Sequence, residues 1–309
     1  MKKTVYCLLA LATLLMAASC GKELESKEEN AGGTANITLD VSLGPQTKAF
    51  ADGTTVDKLY AGLYEVNGID YTWVADNSDA PAAISGKAAN VTFSGKIILG
   101  KSYKVVFWAQ KDGAPYSIDW AKDLTTGPTV TASFNGSAND ESRDAFFGVY
   151  ETGTVTGSID LTGSPVSLKR PFAQVNVLVP NENLVDPSAE AGSSMRVFNA
   201  PTMLNLATKE TTSPTDWFFS ASSINEAAFG SYASTHKYVA MNYVLVDQTA
   251  ADPRYTIEFF VTAGAQTLDN KRLENIPFRP NGRTNIVGNL FNLNYDLSVS
   301  LSVSPGFND

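Results

Sequence analysis

Leu297-Ser298-Val299-Ser300-Leu301-Ser302-Val303-Ser304, close to the C-terminus, decides the fold class. Leu297, Val299, Leu301 and Val303 fall on one side and the four serines on the other. Strict alternation of this kind marks a β-strand with one buried face, because successive side chains of a strand point in opposite directions. A strand at the end of a chain either completes a sheet of its own subunit or offers an edge that another chain can pair with. The question of function turns on which of these it does.

The same pattern recurs upstream. Ile37–Leu43 alternates and is stopped by Gly44-Pro45. Leu59–Val66 leads through Asn67-Gly68, a hairpin signal, into Tyr71–Val74. Val91–Phe93 and Ile97–Leu99 flank Ser94-Gly95, and Tyr103–Ala109 is the most apolar strand of the first half. Phe146–Tyr150 and Ser158–Leu161 follow. Val166–Pro180 opens a second set, with Ala173, Val175, Val177 and Val179 on one face, and Val197–Leu206, Trp217–Phe219, Tyr238–Val246 and Tyr255–Val261 continue it. Ser223–Phe229 reads as a short helix and Asn135–Asp144 as an exposed loop. Turn signals arrive about every 8–12 residues, the spacing of a sandwich or barrel and not of βαβ units. The chain is therefore all-β, with one unit over residues 36–165 and a second over 166–309.

Composition bounds the function. Charged residues are 18% and hydrophobic residues 43% of the 309, enough for a large core. The formal net charge is −9 and no basic stretch offsets it, which disfavours nucleic acid as a partner. Both cysteines, Cys7 and Cys20, precede the folded body, so neither a disulfide nor a cysteine-ligated metal belongs to it. With one histidine, His236, there is no zinc cluster, and no nucleophile motif stands near it. No phosphate-cradling glycine loop is present. Asn135–Asp144 carries oxygen ligands but lacks the spacing of a calcium loop. No catalytic residue, metal or cofactor is assigned.

Residues 1–19 form an export signal: Lys2-Lys3, an apolar run from Thr4 to Met16, then Ala17-Ala18-Ser19. The segment resembles a bacterial lipobox, with Cys20 as the lipidated first residue and Ala17 where leucine is usual. Residues 20–35 are polar and form a tether. Lys48 and Ala49 lie in the polar loop after the Ile37–Leu43 strand, within reach of a trypsin-like protease. A cut there would separate that strand from the body and leave a groove for another chain's strand. An ordinary surface lysine is the alternative.

Four features in this order resemble the fimbrillin-like, type V pilin lipoproteins of Bacteroidota. They are the lipobox-like cysteine, the Thr47–Tyr64 segment, Lys169-Arg-Pro-Phe-Ala-Gln-Val-Asn-Val177, and Asn281-Gly-Arg-Thr-Asn-Ile-Val-Gly-Asn-Leu-Phe291 with its terminal strand. The resemblance implies two successive transthyretin-like, Ig-like β-sandwich domains and delivery to the outer membrane as a lipoprotein. In polymerising members it also implies cleavage after the first strand and donation of the C-terminal strand to a neighbour. Arginine is usual at that cleavage site; here it is Lys48, and the first arginine of the chain is Arg143. The two side chains are not equivalent in a specificity pocket. The resulting expectation is a non-enzymatic, surface-exposed fimbrial subunit, adhesin or anchor. Its partners would be other fimbrial subunits, in a homo- or hetero-polymer, the outer membrane through its lipid, and a host or glycan ligand. The alternative is a monomeric glycan-binding lipoprotein using Trp73 or Trp120.

Overall fold

The structure, a computed structural model, describes residues 33–44, 52–133, 135–181, 192–223, 232, 234–263, 266–267, 270–288 and 299–304. In chain order the first half contributes β1 (Thr34–Leu43), β2 (Lys58–Asn67), β3 (Asp70–Asp76), β4 (Ala82–Ala83), β5 (Ala88–Ile98), β6 (Ser102–Gln110), β7 (Tyr116–Asp119), β8 (Thr129–Ala132), β9 (Asn135–Ser137), β10 (Ala145–Thr154) and β11 (Ile159–Leu168). The second half contributes β12 (Phe172–Pro180), β13 (Gly192–Ala200), β14 (Met203–Asn205), β15 (Thr211–Thr212), β16 (Thr215–Ser223), β17 (His236–Leu245), β18 (Arg254–Ala263), β19 (Gln266–Thr267), β20 (Lys271–Pro277), β21 (Gly282–Gly288) and β22 (Val299–Ser304). A 3-10 turn spans Glu141–Arg143. The architecture is all-β and layered as sandwiches.

The first sandwich is built on β1. It lies between β11, which runs parallel to it, and β5, which runs antiparallel. Ile37, Leu39, Val41 and Leu43 are 0–6% exposed. They form one apolar cluster with Leu59, Ala61 and Leu63 of β2 and Val105, Phe107 and Ala109 of β6, from the sheet ordered β10-β6-β2-β3. Strand β6 is buried on both faces: Val106 and Trp108 belong to a second apolar cluster that continues into the other half of the chain. The Asn67↔Asp70 pair closes the predicted hairpin, with Gly68 at φ +66.

Two strands run on where the sequence suggested a break. β5 crosses Ser94-Gly95 as a bulge, with Gly95 at φ +64 and its N–H bonded to the Asn36 side-chain oxygen at 2.8 Å. β11 continues through Pro165 because it bulges at Gly163, whose φ is +82. Register against β1 therefore moves from Leu39↔Leu161 to Val41↔Val166.

The second sandwich sets the sheet β17-β12-β21-β22 against β19-β18-β13-β16-β9, with β20 beside β18. β12 repeats the setting of β1, between an antiparallel neighbour, β17, and a parallel one, β21. β22 pairs antiparallel with β21 of its own chain, Ile286↔Leu301 and Thr284↔Val303, and forms the edge of that sheet.

Strands from the two halves also share sheets. β8 pairs with β14, Val130↔Leu204, in the order β15-β14-β8-β7. β9 pairs in parallel with β16, Gly136↔Phe219. Thr34–Asp309 forms one compact unit.

The exposed loop expected at Asn135–Asp144 is instead β9 followed by the 3-10 turn. Arg143 is 5% and Asp144 0% exposed, because ion pairs draw that end of the segment into the core, while the other end pairs with β16. Of the short helix read at Ser223–Phe229, Ser223 ends β16 and the rest lies outside the described residues.

Candidate functional site

The slot occupied by β1 is the feature with the clearest functional consequence. Backbone ladders hold β1 on both sides, from Ile37↔Ile159 to Leu43↔Leu168 along β11 and from Thr34↔Ile98 to Ser42↔Ala88 along β5. The outward residues add side-chain ties. The Asp40 carboxylate accepts from the Gly163 N–H at 2.8 Å and from the Asn90 amide at 2.9 Å. These two bonds, the Gly163 N–H first, hold its carboxyl below the usual range. The Thr38 and Thr92 hydroxyls meet at 3.2 Å. Beyond Leu43 the Gly44 N–H donates to the Leu168 carbonyl at 3.1 Å. Lys48 and Ala49 follow, outside the described residues, as does Cys20 before β1. The chain is described again from Asp52, which accepts from the Thr54 N–H at 2.8 Å. A break in the intervening stretch would leave β1 held by hydrogen bonds and apolar contact alone.

The second component is β22. Val299, Leu301 and Val303 stand in register with Gly288, Ile286 and Thr284; Ser300, Ser302 and Ser304 with Val287, Asn285 and Arg283. Leu297 lies outside the described residues. The neighbouring ladder is polar on alternate residues and buried: Arg283 donates to Gln174 at 2.9 Å, and Asn176 donates to Asn285 at 2.8 Å. All four are at most 4% exposed. The sequence alone does not mark β21 as a strand. Its polar residues are matched by partners on β12, and that signal exists only once the strands are paired.

A third feature is a cluster of buried charge beside Thr55. Arg170 grips Asp144 through two bonds, Nε to Oδ1 at 2.6 Å and Nη2 to Oδ2 at 2.7 Å, with both side chains fully buried. Burial pushes the Asp144 carboxyl up, against the pull of Arg170. Tyr243 donates to Glu141 at 3.2 Å, and the Thr55 hydroxyl donates to the Glu141 carbonyl at 3.0 Å. Arg143 bonds Asp140 at 3.2 Å and lies over the Phe219 ring at 5.5 Å, and Tyr116 donates to the Arg143 carbonyl. A Cβ at Gly136 would fall 1.8 Å from Nη2 of Arg143, so a larger residue there has to displace that guanidinium. The three carboxylates each take a partner within the chain and do not converge as cation ligands do. The cluster fastens the start of β10 to β12 and β17.

The tryptophans proposed as a sugar platform are placed otherwise. Trp120 is 6% exposed, its ring against Gly62 and its carbonyl accepting the Tyr64 hydroxyl at 2.5 Å. Trp73 is half-buried, donates to Asp76 at 2.9 Å, and carries the Lys122 ammonium 4.8 Å from its ring centroid. Trp108 is core. His236 opens β17, with its Nδ1 2.7 Å from the Thr235 hydroxyl.

The profile of a family of unknown function, DUF6562, matches residues 27–309. The chain belongs to that family. No curated protein matches it. In structure, this DUF6562 chain is similar to a DUF1812 protein from Bacteroides thetaiotaomicron, provisionally described as polysaccharide-binding. The TM-score is 0.50 and the identity 13%, over 88% of this chain and 96% of that one. It is also similar to a fimbrial assembly protein from Parabacteroides distasonis, with TM-score 0.49 and 14% identity over 88% and 99% of the two chains. A third is the tip fimbrial protein Mfa3 from Porphyromonas gingivalis with C-terminal truncation, with TM-score 0.47 and 12% identity over 87% and 99%. At such identities the likeness is one of fold.

Proposed function

We propose that this DUF6562 chain is a non-enzymatic, surface-exposed fimbrial subunit or adhesin. In this reading a lipid on Cys20 anchors it in the outer membrane, and it joins like subunits by strand complementation. The observation that carries the proposal is the position of β1 as the middle strand of its sheet, followed directly by the stretch that holds Lys48. Removing a middle strand leaves two ladders unpaired and one apolar row open, which is the acceptor that β-augmentation requires. The chain also carries a matching donor. Ile37, Leu39, Val41 and Leu43 alternate with Thr38, Asp40 and Ser42, and Leu297, Val299, Leu301 and Val303 alternate with Ser298, Ser300 and Ser302. Both rows have four branched aliphatics at the same spacing and small polar residues between them. In an uncut subunit β1 fills its own slot, and the chain acts as anchor or terminal subunit.

The test is the mass of the mature N-terminus of protein isolated from membranes and from shed fibres. A chain starting at Ala49 in fibres supports the polymerising role. Lipidated Cys20 chains in membranes, with none in fibres, leave the anchor role and remove the stalk role. A chain that starts at or near Cys20 without lipid in both fractions overturns the proposal.

A further inference from the structure

A pocket of about 320 Å³ opens where the ends of β13 and β15 meet the Asp247–Tyr255 turn. We propose that it binds one neutral sugar residue of a glycan. This deepens the adhesin part of the proposed function and rests on it for its biological setting.

The polar lining is Asn199, Thr211, Thr212, Asp247 and Tyr255. Several of these groups have bonding capacity that the protein leaves open. Asp247 Oδ1 accepts three local bonds, from the Thr249 N–H at 2.8 Å, the Thr249 hydroxyl at 2.7 Å and the Ala250 N–H at 3.2 Å. None of them reaches Oδ2. The Thr249 hydroxyl and the two amides keep the carboxyl ionised at neutral pH by holding it below its usual range. The Tyr255 hydroxyl accepts the Asp247 N–H at 3.0 Å, and no acceptor for its own proton exists among the described residues. This hydroxyl belongs to a side chain only 8% exposed, with its ring stacked on Phe278 at 5.3 Å, so it is fixed in place. Asn199 sits at φ +52, and its backbone N–H donates to the Asp216 carboxylate at 3.2 Å.

A fixed carboxylate oxygen beside a fixed hydroxyl donor, ringed by amide and hydroxyl groups, matches adjacent hydroxyls, each of which donates and accepts. The remaining walls are the rings of Pro201, Pro214 and Pro253, rigid C–H surfaces against which the C–H face of a pyranose packs without ordering cost. Charge argues against an anionic ligand. Arg254 lines the pocket, but Asp252 holds its guanidinium at 2.6 Å and the Asn275 carbonyl at 3.0 Å, while Asp247 adds a negative charge. The volume lies at the small end for ligand pockets, suited to one ring and not to an extended chain.

The test is saturation-transfer NMR on the full chain, unpolymerised, with the methyl glycosides of glucose, galactose, mannose, fucose and N-acetylglucosamine at millimolar concentration. Transfer to at least one glycoside is expected. Asp247→Asn should weaken that binding about tenfold or more, and Tyr255→Phe about three- to tenfold, as losses of a charged and a neutral hydrogen bond. Tyr255→Phe keeps the ring stacked on Phe278, so an unchanged melting curve separates lost binding from lost folding. Trp73→Ala should leave binding as it was. No transfer to any of the five glycosides overturns the inference, as does transfer that both pocket variants leave intact or that Trp73→Ala abolishes. The measurement needs neither cleavage at Lys48 nor strand exchange, so a negative result removes the pocket and leaves subunit assembly to its own test.

Discussion

A chain beginning at Ala49 should not keep its fold unless another strand fills the slot of β1. That strand buries Ile37, Leu39, Val41 and Leu43 to 0–6% exposure. Full burial of each such side chain contributes about 1.5–3 kcal/mol, so the four together contribute roughly 6–12 kcal/mol. Residual structure in the denatured state makes this an upper range. The net stability of a folded protein is about 5–15 kcal/mol, so loss of β1 removes most of it. At about 2 °C per kcal/mol for a chain of this size, melting should fall by on the order of 10 °C, or the protein should associate through the open slot. Circular dichroism melting and size-exclusion chromatography of residues 49–309 would measure both. Adding a synthetic peptide of Thr34–Leu43 should restore the melt, and so should a peptide of Leu297–Ser304. The same terminal peptide with Leu301→Asp should not. If residues 49–309 melt with the full chain, β1 is not structural in the sense argued here. If the β1 peptide rescues and the terminal peptide does not, the donor role of the C-terminal strand is refuted.

Breaking the buried Asp144–Arg170 pair by Asp144→Ala should cost about 3–5 kcal/mol in urea unfolding, because it leaves a guanidinium buried without its carboxylate. Replacing both partners, with Asp144→Leu and Arg170→Met, should recover most of that loss. Gly62→Ala should lower the free energy of unfolding by about 1–3 kcal/mol, since its Cβ would lie 2.5 Å from the Trp120 ring, and tryptophan fluorescence should report the displaced indole. Cys20→Ser should abolish incorporation of labelled palmitate and move the protein out of the membrane fraction; a variant still held at the membrane would refute the lipid anchor.

The strands that sequence disclosed are those whose environment is uniform along their length. β1 alternates because one sheet face is core, and β6 reads as a largely apolar run because both faces are covered. Where burial is reached through polar matching, the sequence is silent. β21 reads Gly-Arg-Thr-Asn-Ile-Val-Gly and is buried throughout, its arginine and asparagine answered by Gln174 and Asn176 on β12. Asn135–Asp144 has the composition of a loop. Its Arg143 and Asp144 are inside because Asp140, Arg170 and the Phe219 ring are there to meet them. Nothing in the sequence beside Trp120 shows what covers it; the missing side chain of Gly62 makes room for its ring in the core. The pocket at Asp247 had no linear signature at all, since its lining comes from three separated segments.

The shared pairings β8–β14 and β9–β16 bear on how such a chain can evolve. A protein of two independent modules can exchange one of them by recombination and fold at once. Here an incoming first half would bring its own β8 and β9, and these would have to find register with a β14 and β16 that had diversified beside different neighbours. Crossovers near the middle of the gene should therefore be purged. Variation should accumulate instead in turns and pocket rims, and substitutions at Val130, Leu204, Gly136 and Phe219 should be correlated across relatives.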